Sequence, residues 1–247
     1  MSVCQKTLPV TGADTPQPGY RVLWIEDHEL AARCVPGMFF ELKADRRDQA
    51  NRLYKPISVY QVREGRIAFM VKEVGEGSKA LCSLQPGEGV RLIGPLGNAF
   101  PLLNVQNILL VSGGVGYPPL AYLKNCLPPS SRVIHLHGGA SAKDIFPCDI
   151  VCTEDGSAGS KGRVTDLVPS VIAENRIQLV YSCGPQPMLK ALTRMVEGIP
   201  HFVSLEAYMA CGIGVCYGCS VPVGNEFKRV CKDGPVFNAA DIAWEKL

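Results

Sequence analysis

The chain lacks any uninterrupted apolar run of membrane-spanning length. Its most apolar stretch, "NILLVSGGVGYPPLAYL" at 107–123, is broken by glycine and proline, which excludes a spanning helix there. Blocks of like charge are also missing. Twenty-five basic residues face twenty-three acidic ones, a formal charge of +2 over 247 residues, and no cationic cluster offers a track for nucleic-acid phosphates. The opening "MSVCQKTLPVTGADTPQPGY" has no stretch resembling the core of a secretory leader, so a cytoplasmic location without a membrane span is expected. Histidine is scarce. His28, His135, His137 and His201 share no metal-ligand spacing and are expected at the surface or in packing. There is no H-E-x-x-H, no paired-carboxylate motif, no Ser/His/Asp arrangement and no internal repeat.

What the chain does have is cysteine, eleven residues in all. An odd, scattered count in a chain long enough to bury its own core argues against a disulfide framework. Cys4, Cys34, Cys82, Cys126, Cys148 and Cys152 read as small buried apolar residues. The other five stand in distinctive contexts.

From about Tyr20 to Pro101, runs such as "YRVLWIE", "KPISVYQV", "RIAFMVKEV" and "GVRLIGPL" recur between turn residues. That rhythm predicts an antiparallel β-barrel. Beyond it, "NILLVSGG" and "RVIHLHGG" are continuous apolar runs ending in glycine, alternating with helical patterns in "PPLAYLKNCL", "GRVTDLVPSVIAEN" and "PQPMLKALTRMVEG". Buried parallel strands with crossover helices have that signature. The expected fold is multi-domain, β then α/β: an N-terminal barrel over 1–102, a Rossmann-like domain over 103–203, and a small Cys-rich domain over 204–247.

Two glycine turns point to a nucleotide. "ILLVSGGVGYPPL" runs a strand into Gly113, Gly114 and Gly116 and then a helix, a turn in which bare backbone approaches a pyrophosphate at a helix N-terminus. "LVYSCGPQPML" ends a second strand in Cys183, Gly184 and Pro185. In an open α/β sheet, strand ends of this kind face one crevice.

The C-terminal segment holds C-x4-C-x2-C-x11-C, formed by Cys211, Cys216, Cys219 and Cys231. The first three follow the plant-type [2Fe–2S] spacing with a remote fourth thiol. A Cys4 zinc site fits the ligand types, although zinc ribbons use two separated C-x2-C knuckles and only one is present. The cluster is the favoured reading, zinc and unligated thiols the alternatives.

"GGVGYPPL" and "CGPQPML" together resemble the nucleotide half of the ferredoxin reductase superfamily. The resemblance implies NAD at Gly113, Gly114, Gly116, Cys183, Gly184 and Pro185, and FAD on the barrel. The flavin contacts it implies fall on Lys55, Pro56, Ile57 and Ser58 in "KPIS", on Met70, Val71 and Lys72, and on Gly77 and Ser78 in "GEGS". Lys55 and Lys72 stand where arginine is usual, and Ser78 replaces threonine. "SLEAYMACGIGVCYGCSVPV" and "FKRVCKDGPVF" are similar to the cluster segment of the electron-transfer subunits of NAD-dependent dihydroorotate dehydrogenase. That family implies an FMN-containing catalytic partner in a heterotetramer of pyrimidine biosynthesis, with no catalytic residue needed on this chain. Subunits of sulfide dehydrogenases and ferredoxin–NADP transhydrogenases share the layout, often with Asp at the position of Cys211, and are the alternative. A zinc-stapled binding module is the alternative of another class. NAD is expected over NADP because "LHGGASAKD" has no arginine for a 2′-phosphate, although Lys143 is near.

Overall fold

The computed structural model of the protein describes residues 3–46 and 53–247. Six strands close the first unit: β1 (Cys4–Asp14), β2 (Tyr20–Glu26), β3 (Phe39–Ala44), β4 (Lys55–Arg63), β5 (Arg66–Lys72) and β6 (Gly89–Leu96). Their order around the barrel is β1-β2-β5-β4-β3-β6, antiparallel throughout. Alternation places Leu23, Ile25, Phe40, Leu42, Ile67, Phe69, Val71, Val90 and Leu92 inside, the period-2 consequence of the pleat. Helix α1 (His28–Arg33) and helix α2 (Glu76–Cys82) add Leu30 and Leu81 to that interior.

The barrel begins at Cys4, earlier than the expected Tyr20. β1 buries only Val10, so its sequence carries little hydrophobic alternation. Register with β2 on one side and β6 on the other builds it.

The second unit runs through β7 (Asn107–Gly113), α3 (Tyr117–Cys126), β8 (Arg132–Gly139), β9 (Ile150–Thr153), β10 (Ser160–Lys161), α4 (Val164–Asn175), β11 (Leu179–Cys183), α5 (Gln186–Met195) and β12 (His201–Ser204). β7 is apolar without a break because both its faces are covered. Leu109 and Val111 pack under α4 and α5 with Val168 and Leu192, while Ile108 and Leu110 pack under α3 with Leu120 and Leu123.

The C-terminal segment forms the hairpin β13 (Ser220–Val223) and β14 (Glu226–Arg229), then β15 (Val236–Asn238). β15 joins the larger sheet, whose order is β10-β9-β8-β7-β11-β12-β15, antiparallel to β12. Asn98 ties the same segment to the barrel end: its side chain donates to the Val236 carbonyl and accepts from the Val236 N–H, both at 2.9 Å. The Cys-rich segment is thus attached to both larger units.

Of the four histidines only His28 is exposed. His135, His137 and His201 are buried, the first two against Ser112 Oγ at 2.7 and 2.8 Å and the last against Ser182 Oγ at 2.7 Å. Burial pushes His135 and His201 down to about 3. A folded value below the unfolded one stabilises the fold above pH ~6.5 and loses that contribution as pH falls, about 2 kcal/mol per histidine at pH ~5. Other groups titrate in the same window, so the measurement compares two slopes. Between pH ~7.5 and ~5 the wild-type Tm falls about 5 °C further than that of His201→Phe. Parallel slopes in thermal melts refute the assignment.

Candidate functional site

Chain order reverses at β7. The path steps outward to β8, β9 and β10, then returns to β11 on the other side. Ligands of open α/β sheets lie at the carboxyl ends of the strands flanking that reversal, here Gly113 and Cys183, with Ser112 directly opposite Cys183 in register. The two glycine turns seen in the sequence therefore meet. Gly116 lies backbone to backbone against Cys183 and Gly184: an added Cβ would sit 2.7 Å from the Gly184 nitrogen and closer still to the Cys183 carbonyl. Gly184, at φ +157, packs against Gly113 and Met188 in turn. Cys183 is 2% exposed, and burial, with Glu206 adding to it, pushes the thiol well above its usual range. It is an uncharged thiol at the carboxyl end of β11.

On the barrel, β4 and β5 are antiparallel neighbours with Val59 opposite Phe69. Lys55–Ser58 and Met70–Lys72 therefore lie at the same barrel end, and α2 with Gly77 and Ser78 follows directly from β5. The three segments expected around a flavin are together. Their polar groups differ in availability. Ser78 Oγ accepts from the Val74 and Gly75 N–H groups at 2.8 and 3.0 Å, so the hydroxyl holds its own turn. Lys72 Nζ lies 2.6 Å from Asp144 Oδ1, which also accepts from Tyr20 Oη at 2.6 Å. That cation bridges barrel and nucleotide unit. Among the described residues Lys55 Nζ donates one hydrogen bond, to the Leu53 carbonyl at 3.5 Å.

The four thiols gather as two pairs. The Cys216 N–H points at Cys211 Sγ at 3.4 Å, and the Cys231 N–H at Cys219 Sγ at 3.5 Å, the latter closed by the β13–β14 hairpin. The pairs are near enough for Cys211 to bear on Cys231. Burial opposes ionisation of Cys211, but N–H groups of Cys216, Ile213 and Val215 outweigh it and bring the thiol down to about 6. Burial, with the Cys219 sulfur beside it, pushes Cys231 up to about 12. Among the described residues no three His, Cys, Asp or Glu side chains form the shell of a single ion. Two pairs of thiols instead suit two irons with two thiolates each. The donor set fits an iron–sulfur centre, and all eleven cysteines are free of disulfides.

Three residues of the site escaped sequence reasoning. Arg229 braces the thiol loop: Nη1 donates to the Gly214 carbonyl at 2.9 Å, the guanidinium lies 5.0 Å over the Tyr217 ring, and Asp233 takes Nε at 2.9 Å. Its only signal was an arginine two residues before Cys231. Asp144 carried no motif. Glu41, on β3, is 1% exposed, and neither carboxyl oxygen has a hydrogen-bond partner among the described residues. Burial pushes it up to about 7, with Lys55 pulling it back and Cys211 adding to the rise.

A closed flavin-type barrel, a parallel sheet with glycine turns at its reversal point and a four-thiol loop joined to both define an oxidoreductase of the ferredoxin reductase class. Residues 22–100 match the family described as oxidoreductase FAD-binding domain, and residues 206–243 the iron-sulfur cluster binding domain of dihydroorotate dehydrogenase B. The electron transfer subunit of dihydroorotate dehydrogenase B (NAD(+)) from Caldanaerobacter subterraneus subsp. tengcongensis is 39% identical over 77% of this chain and 81% of its own length. That of Fusobacterium nucleatum is 38% identical over 85% and 88%. A solved NADH-dependent reduced ferredoxin-NADP oxidoreductase, 27% identical, superposes with a TM-score of 0.87 over 97% of this chain and 91% of that one. The chain belongs to the family of electron transfer subunits of dihydroorotate dehydrogenase B. Electron transfer within pyrimidine biosynthesis is the work of that family. FAD, a nicotinamide nucleotide and an iron–sulfur cluster are its cofactors, and a subunit of this kind implies a catalytic partner.

Proposed function

We propose that the chain passes electrons between NAD(H) and an FMN-containing dihydroorotate dehydrogenase subunit, as part of a cytoplasmic heterotetramer, with 1–102, 103–203 and 204–247 as its flavin, nucleotide and cluster units. When bound, FAD exchanges hydride with nicotinamide and single electrons with a [2Fe–2S] centre, so the order nicotinamide, FAD, cluster, partner follows from the cofactors. The chain's residues supply positions. Gly113, Gly114 and Gly116 leave room for a dinucleotide pyrophosphate, and Cys183, Gly184 and Pro185 wall the nicotinamide side. Lys55–Ser58, Met70–Lys72, Gly77 and Ser78 form the flavin bed, and Cys211, Cys216, Cys219 and Cys231 hold the cluster. NAD is the favoured nucleotide because 136–144 has no arginine.

The observation that carries this reading is the gathering of four thiols into two pairs on a segment bonded to both flavin and nucleotide units. Exposed apolar side chains on the same segment, Tyr208 at 99%, Val215 at 71%, Tyr217 at 62% and Phe227 at 73%, support a partner seated over the cluster. Anaerobic purification followed by iron, sulfide, zinc and flavin analysis and NADH titration tests the reading. Iron and sulfide in equal amounts with one FAD uphold it. A colourless, zinc-loaded protein refutes it.

The unequal availability of the two lysines has its own consequence. Lys55→Ala weakens FAD binding by about tenfold or more, the size of a lost charged hydrogen bond. Lys72→Ala costs less, because Asp144 already holds that cation. FAD titration of the two variants gives the order, and a larger effect at Lys72 reverses the assignment.

A further inference from the structure

Glu41 is the anomaly of the fold. Phe40 and Leu42 on either side point into the barrel, so Glu41 faces outward, opposite Pro56 in register. It is nevertheless covered, and both carboxyl oxygens are buried without a hydrogen-bond partner among the described residues. A buried polar group left unpaired costs stability and calls for a reason. What covers it is the thiol loop: a Cβ on Gly212 would lie 2.5 Å from Glu41 Cγ and 2.8 Å from Oε1. Gly212 also holds φ +64, so steric room and backbone conformation both require glycine there. The carboxyl group thus abuts the turn that follows Cys211, from a strand adjoining the Lys55–Ser58 bed.

We propose that Glu41 is a positioning residue for the cluster: its buried side chain, packed against Gly212, braces the turn that follows Cys211 and holds that thiol against the barrel. This rests on the cluster reading above. The side chain occupies the space beside Gly212, so its burial costs stability where the turn that carries Cys211 gains a fixed support. Local conflicts of this sort mark functional positions.

The test uses the full chain carrying FAD and cluster, challenged with an iron chelator while the cluster's visible absorption is followed. Glu41→Leu loses its cluster about tenfold faster than wild type, the scale of an outer-shell change at a metal site. Glu41→Gln, which keeps the length of the side chain, falls between. FAD content stays at the wild-type level in both, showing a folded barrel. Stripped of its cluster, Glu41→Leu melts about 5 °C above wild type, since the unpaired carboxyl is gone. Equal cluster lifetimes in Leu and wild-type proteins overturn the inference while leaving the cluster reading intact. A lower melting point for cluster-free Glu41→Leu overturns it too, by showing ordinary packing. Wild-type protein without iron removes the reading beneath it.

Discussion

Cys216→Ser abolishes the cluster's visible absorption and stops electron delivery to the partner subunit, while NADH still bleaches the bound flavin. The separation of the two effects is what makes the experiment informative. Cys216 is the exposed member of the four thiols, so its loss leaves no core cavity, and any fall in stability comes from the missing cluster. A serine hydroxyl is a hard, protonated oxygen at neutral pH and a poor substitute for thiolate on iron. Ligand loss exceeds the 10–100-fold effects of outer-shell changes, so NADH-driven reduction of the partner falls by more than about a hundredfold. Serine at Cys219 or Cys231 is less clean, because both are buried and a hydroxyl there also disturbs packing. Anaerobic stopped-flow mixing of NADH with the assembled complex, read at flavin and at partner, checks the result. Undiminished reduction of the partner by Cys216→Ser shows that electrons bypass the thiol loop.

Gly116→Ala has the second large effect, and it acts at the other end of the relay. The added methyl meets backbone on the neighbouring turn, the Cys183 carbonyl and the Gly184 nitrogen, and a backbone atom cannot rotate away as a side chain can. The turns after β7 and β11 must separate. Misplacement of a bound reactant by about 1 Å costs on the order of a hundredfold in rate, and overpacking costs about 1–3 kcal/mol of stability. Flavin reduction by NADH slows accordingly, while FAD and iron content hold. Gly12→Ala is the control: the atoms nearest its Cβ belong to the Trp24 side chain, at 3.5 Å or more. Wild-type rates of flavin reduction in Gly116→Ala refute the placement of the nicotinamide crevice.

Much of the architecture was legible because it is written in short-range pattern. β7 and β11 could be read from unbroken apolar runs that end in glycine, and α3, α4 and α5 lie within a few residues of their expected spans. β1 was not legible, since a strand with one buried residue is made by its two neighbours. Nor was β15: three residues of "GPVFNA" carry no period, and only the free edge of β12 recruits them.

The candidate site divides in the same way. Three thiols within nine residues and the glycines of each nucleotide turn are contiguous, so ligand chemistry and backbone freedom are set by the order of residues alone. Contacts across the chain are different in kind. Lys72 with Asp144, Arg229 with Gly214 and Glu41 with Gly212 join residues 15 to 171 positions apart, and each depends on strand register and on how one unit packs against another. A single residue's shift in β3 would turn Glu41 into the barrel and Phe40 out of it, because side chains alternate faces along a strand. The sequence by itself determined which cofactor chemistry the chain can hold. Tertiary structure alone decided which polar groups remain free to meet those cofactors, since that depends on partners folding brings from far along the chain.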